Sequence, residues 1–252
     1  MGGFLETEGL TKQFGELTAV EDVSLSVAEG DVTAIIGPNG AGKTTLFNLL
    51  SGNYTPTTGK IRFRGERIDG DPPHDIYHAG IARSFQITNF FPELTAFENV
   101  RLATQSEETG FKPRDFLSHH SSLEGPRAEA RAVLERLDLA DIADEPAETL
   151  SHGQQRHLEI AIALGSDPDL LLMDEPTSGM SPDETRETMD LIEDIAEETS
   201  LLVIEHDMDV VMSVSDKIAV MNQGTLLTMD TPEAVQEDEQ VQDVYLRGGQ
   251  VA

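Results

Sequence analysis

The chain has 252 residues, 38% of them hydrophobic, enough to bury a core as one domain or two. It carries 47 acidic against 17 basic residues, a net charge of −30, and no cysteine. Disulfides and thiolate metal sites are thereby excluded, and nucleic acid and anionic lipid are disfavoured as direct ligands of so negative a surface.

The start, MGGFLETEGL, has no basic region and no apolar stretch of signal-peptide length. Gly2 fails the myristoylation pattern because position 6 is Glu6. No apolar run in the chain approaches the roughly 18 residues of a membrane span. A soluble, cytosolic protein is expected. Residues 3–30 read as short β segments, Phe4 to Leu10 and Ala19 to Val27, around a turn at Phe14-Gly15-Glu16. Phe14 stands among polar neighbours, where ordinary packing competes with stacking on a purine base.

Val32 to Ile36 is a continuous apolar run of buried-strand type. It leads into Gly37-Pro38-Asn39-Gly40-Ala41-Gly42-Lys43-Thr44-Thr45, a match to G-x-x-x-x-G-K-[ST], and then into the helical run Leu46, Phe47, Leu49, Leu50. Strand, glycine-rich turn and helix are the context in which successive N–H groups converge on an anion and the helix dipole adds to them. Lys43 is placed to reach β- and γ-phosphates, and the Thr44 hydroxyl to complete a Mg²⁺ shell. A bound nucleoside triphosphate is therefore expected.

Lys60 to Ile68 predicts a hairpin through Gly65-Glu66. Pro72-Pro73 opens a helix with His74 and His78 four residues apart, a metal-compatible spacing that lacks a third ligand and reads as surface histidines. Gly80 to Gln86 is strand-like and ends on the polar Gln86. From 87 to 150 the texture changes to an inserted helical region, with an irregular excursion over 104–125 and helical spacing over 127–139. Leu150-Ser151-His152-Gly153-Gln154-Gln155 starts another helix, with Ser151 and Gln154 in capping-box spacing.

Asp169 to Met173, apolar after its first residue, reads as a buried strand that delivers Asp174 and Glu175 at its carboxyl end, where α/β sheets present reactive groups. Adjacent strand residues face opposite ways, so the pair is expected to divide two tasks. Leu201 to Ile204 is a matching strand that ends on Glu205-His206-Asp207, which brings His206 into consideration as a phosphate ligand. Ile218 to Met229 folds as a hairpin through Gln223-Gly224, and 232–247 is expected as one acidic helix. The acid is spread along the chain, with clusters at 141–148, 183–198 and 237–243, as in proteins adapted to a salty cytoplasm.

Taken in order, the P-loop, Gln86, LSHGQQ, LLLMDEP and His206 resemble the ATP-binding subunit of an ABC transporter over the whole chain. The stretches GIARSFQ, GQQRHLEIA, GMSPDET, the VIEHDMDVV run and the closing VYLRG are similar to the branched-chain amino-acid importer subgroup, with urea and amide importers as the alternative. The fold so implied is α/β: a P-loop NTPase core with a mainly parallel sheet (1–86 and 166–252), an N-terminal antiparallel β subdomain, and an inserted helical subdomain (87–165). The resemblance implies a single ATP-hydrolysing domain that powers solute import. Phe14 would stack on adenine and 37–45 would hold the phosphates. Gln86 would touch Mg²⁺, Asp174 would support it, Glu175 would polarise water, and His206 would contact the γ-phosphate. Ser151, Gly153 and Gln154 would close on ATP held by a second ATP-binding subunit in a head-to-tail dimer. Transmembrane permease subunits would be direct partners and a solute-binding protein an indirect one, with the chain at the cytoplasmic face of the membrane. His152, where the usual LSGGQ form has glycine, departs from the pattern. Gln86 and the 87–125 stretch are expected to touch the permease.

A repair or translation ATPase of this type would carry two cassettes or a long coiled coil, and an inactive scaffold would lack Glu175 or Lys43.

Overall fold

The computed structural model describes residues 3–84, 90–108 and 124–248. Two sheets organise them. The first is antiparallel and holds β1 (Leu5–Phe14), β2 (Leu17–Val23), β3 (Ser26–Val27), β5 (Thr58–Phe63) and β6 (Glu66–Arg67), ordered β2-β1-β5-β6 with β3 also against β1. The second is built from β4 (Val32–Ile36), β7 (Ile81–Ser84), β8 (Leu170–Asp174), β9 (Ser200–Ile204), β10 (Lys217–Asn222) and β11 (Thr225–Asp230), ordered β11-β10-β4-β9-β8-β7. All its pairs are parallel except the β10–β11 edge. Every residue of β4, β8 and β9 is buried, as strands covered on both faces require.

The helices are α1 (Lys43–Leu50), α2 (Pro73–His78), α3 (Ala96–Glu108), α4 (Glu124–Arg136), α5 (His152–Leu164), α6 (Pro182–Ala196), α7 (Met208–Val214), α8 (Pro232–Glu237) and α9 (Glu239–Gly248), with short 3₁₀ turns at Ala140–Ile142 and Ala147–Thr149. Among the described residues no helix is long and apolar enough to cross a membrane.

The two-residue period of β4 splits the core. Ile35 points into a cluster with α1 and the antiparallel sheet, while Ala34 and Ile36 face α7, α8 and α9. Leu171 and Met173 of β8 and Leu201 and Val203 of β9 pack on α3, α4, α5 and α6 in one continuous cluster. The inserted helices 96–164 thus share a core with the sheet.

Several boundaries differ from expectation for local reasons. β1 runs on to Phe14, so the turn is Gly15-Glu16 alone. The β5–β6 turn falls one residue early, at Arg64-Gly65, where both residues have positive φ (50° and 85°), the pattern of a tight hairpin turn. Helix α3 continues to Glu108 and α4 begins at Glu124, so both ends of the expected excursion over 104–125 are helical; residues 109–123 lie outside the described set. The acidic terminal segment is two helices. Asp238 is extended (ψ 118°), and its Oδ1 accepts from the N–H groups of Gln240 (2.7 Å) and Val241 (3.3 Å), capping a new helix instead of continuing the old one.

Candidate nucleotide-binding and catalytic site

The parallel register brings three strand ends to one rim. Ile35 of β4 and Asp174 of β8 both pair with Ile204 of β9, so the loop from Gly37, the Glu175 segment and the Glu205-His206 segment emerge side by side. On this rim Asn39 to Thr45 and Glu175 line a cleft of about 410 Å³, with Leu17 to Ala19 on the antiparallel sheet closing one side.

The loop's shape depends on glycine at two crowded points. A Cβ on Gly37 (φ +150°) would lie 2.1 Å from the Met221 carbonyl oxygen, and one on Gly42 (φ +98°) would lie 2.4 Å from that of Ala19. Gly42 is also the N-cap of α1, and no side chain caps that helix. The first N–H groups of α1 therefore remain available to an anion. Lys43 folds over the same loop, donating to the carbonyls of Gly37 (2.6 Å) and Pro38 (3.2 Å). Burial lowers the Lys43 pKa, against the opposing pull of Glu175 and Asp174.

The two carboxylates have different surroundings, because Glu175 lies just past the end of β8 and is turned by its own left-handed backbone rather than by strand alternation. Asp174 is buried, and its Oδ2 accepts from Arg83 Nη2 at 2.9 Å. Arg83 also donates to Asn48 of α1 at 2.7 Å. Glu175 is half-buried, turns into the cleft, and has a left-handed backbone (φ 50°) secured by its N–H donating to the Ile204 carbonyl at 2.8 Å. Such a conformation typically costs about 1–3 kcal/mol and concentrates at functional sites. Glu205 is 1% exposed: it accepts from the Thr177 hydroxyl, the Thr177 N–H (3.1 Å) and the His206 N–H (2.8 Å). The His206 side chain is 62% exposed, with Nδ1 3.4 Å from Glu205.

None of the remaining expected groups among the described residues lines this cleft. Phe14 is 42% exposed at the end of β1, edge-on to Tyr54 at 5.2 Å, with the Lys12 ammonium 5.0 Å from its ring. Neither Phe14, Asp174 nor His206 forms a wall of the cleft itself. Gln86 lies outside the described residues. Ser151, Gly153 and Gln154 begin α5, away from the P-loop cleft. Their capping box is complete: Ser151 Oγ accepts from Gln154 N–H (3.2 Å) and Gln154 Oε1 from Ser151 N–H (2.9 Å). His152 is exposed; a Cβ built on Gly179 would lie 3.8 Å from its ring. His74 is exposed, and no cluster of three metal-ligating side chains occurs among the described residues.

A larger hollow, about 590 Å³, lies on the antiparallel sheet. Its lysines are already paired, Lys60 with Glu8 (3.0 Å) and Lys217 with Asp230 (3.5 Å), so size alone does not mark the site.

Arg83, Arg156 and Glu205 carry much of the local architecture without having been singled out in the sequence. Each left a trace: an arginine inside a strand run, a cation one turn into the LSHGQQ helix, and an acid closing an all-apolar strand.

Known proteins place this arrangement. The ABC transporter family model matches residues 20–178. The chain is 44% identical over 247 residues to the high-affinity branched-chain amino acid transport ATP-binding protein BraF of Pseudomonas aeruginosa, covering 96% of this chain and 97% of the relative. It is 39% identical over 251 residues to LivG of Escherichia coli, covering 96% and 97%. A crystal structure of the ADP conformation of an ATP-binding cassette of an ABC transporter superposes with a TM-score of 0.84 at 32% identity, covering 98% of this chain and 99% of that one. A dimeric bacterial ABC transporter cassette matches with a TM-score of 0.77 at 26% identity, over 90% and 98%. On this family match and near-full-length identity, the chain belongs to the ABC transporter family, among its ATP-hydrolysing cassettes.

Proposed function

We propose that this cassette hydrolyses ATP to drive uptake of branched-chain amino acids through separate permease subunits, fed by a solute-binding protein. The observation that carries the catalytic part is Glu175, held in a left-handed conformation in the wall of the P-loop cleft beside the buried Asp174. The substrate rests on nearly full-length similarity to proteins named for branched-chain amino-acid transport. The site at the sheet rim works as follows. Asn39 to Thr45 cradle the phosphates, Lys43 moves from the loop carbonyls onto the β- and γ-phosphates, and Phe14, braced by Tyr54, stacks on adenine. Glu175 accepts a proton from the attacking water, and His206, exposed beside it, contacts the γ-phosphate. Thr44 and Asp174 supply the hard oxygen donors that Mg²⁺ prefers, which fits the lack of any all-protein metal cage among the described residues. When bound, Mg²⁺ neutralises phosphate charge. Gln86 joins that shell and, with 87–125, faces the permease.

In the working dimer Ser151, Gly153 and Gln154 close on the partner's ATP. Two bodies of charge −30 then meet. The screening length falls from about 8 Å at 0.15 M salt to roughly 3 Å at 1 M. Dimerisation of the Glu175→Gln chain with ATP is therefore expected to strengthen with salt, as read by sedimentation, in keeping with a salty cytoplasm. The decisive experiment purifies the chain with its membrane subunits and measures ATP-dependent uptake of labelled leucine in proteoliposomes. Uptake of urea or amides in place of leucine would overturn the substrate; no coupled uptake would overturn the transport role.

A further inference from the structure

Helix α5 carries, one turn beyond its capping box, a contact that the LSHGQQ reading does not use. Arg156 reaches across to the end of β8, where its Nη2 donates to the main-chain carbonyls of both Asp174 and Glu175, the latter at 3.1 Å. Its Nη1 is fixed by Glu159 of the same helix at 2.8 Å, and both side chains are 10% exposed. A buried ion pair with a planar fork is a geometry that lysine cannot reproduce. Glu175 is thus gripped from two sides, its N–H by the Ile204 carbonyl and its carbonyl by Arg156, at the residue whose backbone is left-handed. The helix that bears the grip is itself rigidly seated. Its Ser151 end is capped. A Cβ on Gly153 would lie 2.9 Å from the Glu184 carboxylate of α6, and His157 Nε2 is 2.9 Å from the Thr188 hydroxyl. Arg156 lies five residues beyond Ser151, about 7–8 Å along the axis, so a shift at one end is felt at the other.

We propose that Arg156 is a positioning residue that couples the two nucleotide sites: engagement of the Ser151–Gln154 end of α5 by the partner's ATP is passed through its guanidinium to the main chain of this chain's own Glu175. The proposal rests on the head-to-tail dimer reading above. It gives the chain a direct route by which occupancy of one site sets the aim of the catalytic carboxylate in the other.

The test compares the parent, Arg156→Gln and Arg156→Lys chains, each also in a Glu175→Gln background. In the parent background, Arg156→Gln is expected to lower kcat about 10–100-fold while calorimetric ATP affinity of the monomer changes less than twofold, and to reduce the Hill coefficient for ATP towards one. In the Glu175→Gln background, hydrogen exchange supplies a readout independent of turnover. ATP is expected to protect the P-loop amides (37–45) in both, and the 174–177 amides only when Arg156 is present. Arg156→Lys, which keeps the charge but reaches one carbonyl, is expected to fall between, and it carries the test if Arg156→Gln does not fold. Unchanged kcat and Hill coefficient, or a kcat loss matched by an equal loss of ATP affinity, would overturn the proposal. So would ATP protection of 174–177 that survives without Arg156. A parent chain with no ATPase activity would instead overturn the underlying functional reading.

Discussion

Two helix beginnings in this protein treat their backbone N–H groups in opposite ways. Helix α1 starts at Gly42 with no side-chain cap, so its first N–H groups are left for a ligand. Helix α5 starts at Ser151 with a complete capping box, so two of its N–H groups are already satisfied. Helices α6, α7 and α8 are capped by Ser181, Asp207 and Thr231 in the same protective way. The difference separates a beginning left open from one already closed. On the proposed function, the α1 loop would hold an anion with backbone groups of one chain, whereas α5 has less to offer and is suited to completing a site built elsewhere.

The comparison can be broken at its strongest point first. If the α1 rim holds the chemistry, Glu175→Gln is expected to cut ATP turnover about 10²–10⁴-fold, the usual worth of a positioned base, with ATP binding retained. Steady-state hydrolysis near the parent rate would remove Glu175 from the mechanism. Next in size, Lys43→Ala removes a charged hydrogen-bond partner worth about 1.5–3 kcal/mol and is expected to weaken ATP binding roughly 10- to 150-fold. Ser151→Ala is expected to leave monomer affinity untouched; calorimetry that finds equal losses would erase the distinction between the two helix ends.

Stability gives a smaller contrast. Gly42→Ala forces a side chain into a left-handed position beside the Ala19 carbonyl and is expected to cost at least about 1–3 kcal/mol. Removing the Ser151 cap costs only about 1 kcal/mol. Urea midpoints that rank these the other way would mean the loop relaxes freely. Smallest is a pH effect on the seat of α5. Burial lowers the His157 pKa from its ordinary 6.5, with Glu187 and Glu184 opposing, so the unfolded chain takes up the proton first. Stability is expected to be full above that value and to decline as pH falls below it. Replacing His157 with Gln should flatten that slope in thermal unfolding, and an unchanged slope would assign it to the many carboxylates.

What the sequence disclosed follows from how local each cause is. The β4–loop–α1 segment is legible because glycine, lysine and threonine sit in consecutive positions, and β8 and β9 because the four-residue apolar runs Leu170 to Met173 and Leu201 to Ile204 leave few other folds. The Ser151 capping box is equally local, and Ser181 with Glu184 has the same spacing at the start of α6. The break at Asp238 was hidden because an acidic residue reads the same within a helix as at its cap. Arg83, Arg156 and Glu205 were missed for another reason. Their partners stand 91, 18 and 28 positions away, and no single-chain pattern reveals a bond that only the closed sheet creates. Strand alternation predicts that Asp174 and Glu175 face different surroundings; the structure separates them instead by the left-handed turn at Glu175, which no local pattern reveals.

Glu205 makes the two loops beyond β8 and β9 a single mechanical part. One of its oxygens is taken by Thr177 and the other by the His206 backbone, in a place with almost no water to substitute for either. The backbone at His206 therefore cannot shift while the turn after Glu175 stays put; the carboxylate drags one with the other, like a tie rod between two wheels. The same link limits how this chain can vary. Losing the Thr177 hydroxyl leaves that buried carboxyl oxygen with the Thr177 N–H alone, so a replacement at 177 that keeps no hydroxyl weakens the link.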